Sequence, residues 1–67
     1  MSDVKYPKIK VKLVGTDGNA FALIGRVKRA LNENKVSTEE QKMFVEEATS
    51  GDYDNLLSTC CRWVDVR

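Results

Sequence analysis

The sequence predicts an α+β fold: a single domain spanning residues 1–67, of order βαααβ, with two terminal strands packed on three helices. Three observations predict it. "KIKVKLV" from Lys8 alternates strictly, "RWVDVR" from Arg62 has a strand-like close, and between them lie three stretches of helical periodicity separated by capping signals. A 67-residue chain buries only roughly 60% of the surface its unfolded form exposes, so some further source of stability is expected. Cys60 and Cys61 are adjacent and close no useful loop, and there is no histidine for a metal site. A homodimer is the remaining supplement, and no cofactor is expected.

Residues 1–7 read as a loose arm, with Pro7 marking the start of regular structure. In the first strand Ile9, Val11 and Leu13 point to the core, and Lys8, Lys10 and Lys12 point outward, where lysines also discourage edge pairing. "GTDGN" supplies the turn into the first helix, with Asp17 or Asn19 placed to cap it. That helix runs from about Ala20 to Asn34. Ala20, Leu23, Ile24, Val27 and Leu31 form its apolar stripe, and Arg26, Lys28, Arg29 and Glu33 lie off it. Gly25, in its interior, costs about 1 kcal/mol relative to Ala, which suggests close approach by another backbone or a ligand.

Asn34 is suited to the left-handed conformation that ends a helix, and Ser37 with Glu40 has the form of a capping box. The second helix extends to about Thr49, with Met43, Phe44 and Ala48 as apolar contacts and Glu39, Glu46 and Glu47 solvated. Gly51 ends it, and Asp52 caps the third helix, whose apolar face carries Tyr53, Leu56, Leu57 and Cys60. In the last strand Val64 and Val66 face the core, leaving Trp63, Asp65 and Arg67 on the opposite, charged side.

Net charge is +1, but residues 1–35 hold eight Lys/Arg against three Asp/Glu and residues 36–67 hold three against seven. These halves can complement each other within a fold or across a dimer, or simply be solvated faces. No 18-residue apolar run or signal peptide is present, so the expectation is a cytoplasmic protein with reduced thiols and no membrane partner. Enzymatic activity is not expected. No histidine exists to pair with a serine or cysteine, although Arg62 could lower a neighbouring thiol pKa.

The candidate site is the strand-to-helix corner. Free amides at a helix N-terminus hold phosphate or carboxylate, so Gly15, Thr16, Asp17, Gly18 and Asn19 could contact an anion, with Arg26 and Arg29 neutralising it. Tyr53 and Asp54, in "GDYD", could recognise a ring or a hydroxyl. The corner is neither GxxxxGK[ST] nor GxGxxG, which argues against a nucleotide-hydrolysing loop. Capping and packing explain the same residues without a ligand. A second reading is a protein-interaction module that engages a host complex through Trp63, Lys10 and Lys12. Nucleic-acid binding comes third, because the charge excess is small and only Trp63 and Tyr6 could stack near the lysine strand.

The string "VKLVGTDGNAFALIGRVKRAL", followed by "VSTEE", "EEATSGDYDNLLSTC" and "RWVDV", resembles a family of small uncharacterised proteins of bacteriophages and mobile elements. "GTDGNAF" and "SGDYDNLL" are the most specific parts. The resemblance implies a phage-type setting inside a bacterial host and a role in binding, such as sequestering a nucleotide signal of immunity. It carries over no site residue.

Overall fold

The computed structural model describes residues 4–13 and 18–67. The elements run β1 (Tyr6–Val11), α1 (Ala20–Glu33), α2 (Thr38–Ala48), α3 (Tyr53–Trp63) and β2 (Val64–Val66). The order is the expected one. The two strands form a parallel pair, with Lys10 opposite Asp65 and Val11 opposite Val66. An irregularity separates this stretch from the Tyr6–Val64 pairing and falls where Pro7 has no N–H to give the ladder. β1 begins two residues earlier than the alternation suggests, because the Lys5 amide already donates to the Arg62 carbonyl at 2.8 Å. The expected seven-residue arm is therefore at least partly structured; residues 1–3 of it are outside the described residues.

The helix boundaries follow from their caps. Asn19 accepts the Phe21 amide at 2.8 Å, Ser37 the Glu40 amide at 3.2 Å and Asp52 the Asn55 amide at 2.9 Å. α1 ends in a Schellman arrangement, in which the Val36 amide donates to the Leu31 carbonyl and the Lys35 amide to the Asn32 carbonyl. The left-handed residue is Lys35, at φ 62°, and not Asn34, whose φ is −95°. Asn34 is the last half-helical residue, and its side-chain amide donates to the Ala30 carbonyl.

The core joins Ile9 and Val11 of β1, Leu23, Ile24, Val27 and Leu31 of α1, Phe44 and Ala48 of α2, and Leu56, Cys60 and Trp63 of α3 with Val64. Trp63 overturns one expectation. It is the last residue of α3, is only 4% exposed and lies edge-on to Phe44 with ring centroids 5.6 Å apart. The buried face of α3 is thus Leu56, Thr59, Cys60 and Trp63, spaced i, i+3, i+4 and i+7. This rotation leaves Leu57 and Tyr53 exposed, contrary to the face read from sequence. Thr59 is tolerated inside because its hydroxyl donates to the Asn55 carbonyl at 2.7 Å.

Two further expectations change. Met43 is 51% exposed, and buried Gln41 takes a core position on α2 by donating to the Val36 carbonyl at 2.9 Å. No other backbone approaches Gly25: among the described residues a Cβ there meets nothing within 4 Å, and the glycine opens onto a groove shared with Lys28 and Arg29. Gly51 has its reason in space, since a Cβ would lie 3.0 Å from that of Asn55. Among the described residues no helix is long and apolar enough to cross a membrane.

Candidate functional site

At the strand-to-helix corner, Gly15, Thr16 and Asp17 lie outside the described residues. Asn19 serves as the α1 cap, and the Tyr53 hydroxyl donates to the Gly18 carbonyl at 2.6 Å, tying the corner to the start of α3. Tyr53 and Gly18 are therefore brought together, but by a bond between them. Asp54 is exposed in the first turn of α3. Arg29 lies on the side of α1 away from the core and pairs with Glu33 at 3.6 Å, while Arg26 is exposed on the flank of that helix. The groove that Gly18 lines includes neither arginine, and the groove that Arg29 lines does not include Gly18.

A different cavity has the features of a binding site. It is an open groove of about 600 Å³ where the beginning of β1 passes the α1–α2 corner. That volume lies within the roughly 300–1,000 Å³ typical of small-molecule sites. Its floor is apolar and aromatic, with Tyr6, Pro7, Ile9 and Val36; its rim is cationic, with Lys5, Lys8 and Lys35. The Schellman turn that ends α1 sets Lys35 at this rim, and strand alternation turns Lys8 outward beside buried Ile9.

Glu40 is the acidic residue lining the groove. It gives the first turn of α2 its capping amide, but its carboxylate turns to β1, where it accepts the Tyr6 hydroxyl at 2.9 Å and pairs with Lys5. The hydrogen bond from Lys5, and then that from Tyr6, hold the Glu40 carboxyl below the usual range. The bond to Glu40 likewise raises Lys5, and burial, followed by the bond to Glu40, raises the Tyr6 phenol. Glu40 is thus ionised and already compensated by Lys5. The charges of Lys8 and Lys35 are left as the local excess at the groove.

Behind the groove the same lysine reaches the core. Lys5 Nζ lies 4.4 Å from the centroid of the Trp63 indole, whose ring also lies 6.0 Å from that of Tyr6. The indole N–H donates to Glu47 at 3.1 Å, and Arg62 donates to the same carboxylate at 2.8 Å. Glu47, expected to be solvated, is half-buried and held ionised chiefly by Arg62 and then by Trp63. Arg62 is consequently turned to Glu47 and Thr59. The buried Cys60 thiol is pushed up to about 11 by desolvation, so it is protonated and unreactive near neutral pH. Among the described residues no three His, Cys, Asp or Glu side chains are grouped to hold a metal ion.

The groove combines residues that sequence reasoning treated separately. Lys8 belongs to the recognised lysine strand and Tyr6 was a possible stacking group, whereas Lys5 and Lys35 carried no signal. The Tyr6–Glu40 bond spans 34 residues, a separation that no local pattern reveals. No protein family, curated protein or solved structure matches the chain.

Proposed function

We propose that this protein is a non-enzymatic binding protein for a small anionic, nucleotide-like ligand, and that the ligand occupies the Lys5–Lys8–Lys35 groove. The observation that carries this reading is the pairing of an apolar, aromatic floor with a rim of three lysines and one compensated carboxylate. A planar ring rests on such a floor, and phosphate or carboxylate meets the lysines as point charges. The inert Cys60 and the lack of histidine are in keeping with binding without chemistry. With the resemblance to phage and mobile-element proteins, the biological role this reading fits is sequestration of a nucleotide signal of host immunity.

Calorimetric titration with a panel of cyclic dinucleotides and ADP-ribose derivatives tests the proposal. At least one member is expected to give saturable heat, with the affinity reduced by added salt as lysine contacts require. Uniformly absent heat at low salt contradicts it. The interaction reading that relies on Trp63 at a surface has no support in a residue buried against Phe44.

A further inference from the structure

A second surface, independent of the anion groove, bears on assembly. The sheet has two strands and therefore two edges, and they are unlike. β1 carries Pro7, Lys8 and Lys10, the residues that keep an edge from pairing. β2 has neither Pro nor Lys. Its Arg67 neighbour donates to the Val11 carbonyl at 2.8 Å and accepts the Leu13 amide at 2.7 Å, so strand alternation turns the N–H and C=O of Val66 away from β1. Beside this edge lies an apolar groove of about 350 Å³ lined by Leu13, Leu23, Tyr53, Leu57, Cys61 and Val66. Leu57 is 38% exposed there.

We infer that a second copy of this chain occupies this edge, with β2 pairing antiparallel to its counterpart about a two-fold axis at Val66. Charge selects both the occupant and the register. Centred on Val66, the pairing sets Asp65 opposite Arg67 of the other copy, twice by symmetry, on the face away from the core. Centred on Asp65, it would oppose two carboxylates, which is unfavourable. In the free chain Asp65 and Arg67 already lie 3.1 Å apart, so both charges are at the edge where the exchange occurs. Two marginal two-stranded sheets become one of four strands, and Val66 and Leu57 of each copy enter the apolar groove of the other.

Sedimentation of the purified chain is expected to show a reversible dimer. Asp65→Arg opposes arginine to arginine and weakens it by about tenfold or more, while the swap Asp65→Arg with Arg67→Asp restores it. Facing Cα atoms in a hydrogen-bonded antiparallel pair are about 5.5 Å apart, within disulfide reach, so Val66→Cys in a Cys61→Ser background should form a covalent dimer under mild oxidation. A monomer at every concentration overturns the inference. So does a dimer that ignores Asp65→Arg and leaves the Val66→Cys variant uncrosslinked. Neither result touches the anion groove, which calorimetry reads separately.

Discussion

Lys35 stands in a conformation that its side chain disfavours. A left-handed L-residue costs about 1 kcal/mol or more, and glycine is the usual occupant of this position after a helix. Here the lysine supplies a third positive charge to the groove rim. Lys35→Gly is therefore expected to stabilise the fold by about 0.5–1 kcal/mol in chemical denaturation while weakening anion binding. A variant that binds as well as the parent would assign the lysine no part in the site. Trp63 is the opposite case, a residue held by everything around it. Trp63→Ala removes its packing against Phe44, Tyr6 and Lys5 and leaves Glu47 short of a donor. The expected loss of about 3–5 kcal/mol is a large share of what a domain of this size holds, so thermal unfolding should shift below ordinary working temperatures.

Each helix starts at a residue whose side chain takes an amide, and the caps at Asn19, Ser37 and Asp52 are readable from sequence for that reason. Ser37→Ala should cost about 1 kcal/mol through α2, measured as a lower denaturation midpoint. Glu40 in the same turn links α2 to β1, and Glu47 further along links it to the end of α3. Both carboxyls are held below their ordinary value, so their contribution is present above roughly pH 4–5, where an unpaired glutamate ionises, and is lost as pH falls through the lowered folded values. Raised Lys5 has the opposite sense: its contribution is complete below the ordinary lysine value and fades only in alkali. Stability is thus expected to be level near neutrality and to fall on acidification. Glu40→Gln combined with Glu47→Gln should flatten the acid limb, and an unchanged acid limb would remove these pairs from the account.

Across the whole molecule, what sequence disclosed was local. Alternation at Ile9 and Val11, the stripe of α1 and the capping residues gave the element order and most of the core. What stayed hidden depended on residues far apart in the chain. Trp63 reads as the outward side of a strand because its alternation with Val64 and Val66 is local, whereas its burial depends on Phe44, Tyr6 and Glu47. Gly25 looked like a contact point because glycine is costly inside a helix, yet no neighbour fills the space. The groove is the clearest example, being assembled from the start of β1, the α1–α2 corner and Glu40, none of which has a binding motif. Arginines on α1 attracted attention by clustering in sequence, whereas the lysines that share a cavity are up to 30 residues apart (Lys5 and Lys35).

On the proposed function, the cationic rim of this groove receives an anion. The most direct measurement is a titration of the nucleotide ligand that gives the largest calorimetric signal against the parent chain and against the double variant Lys8→Glu, Lys35→Glu. Circular dichroism serves to show that the double variant stays folded, as exposed lysines should allow. Saturable binding to the parent that weakens with salt is expected, with a loss of about a hundredfold or more in the folded double variant, as reversal of two charges at short range implies. Equal affinity in the two proteins would contradict it.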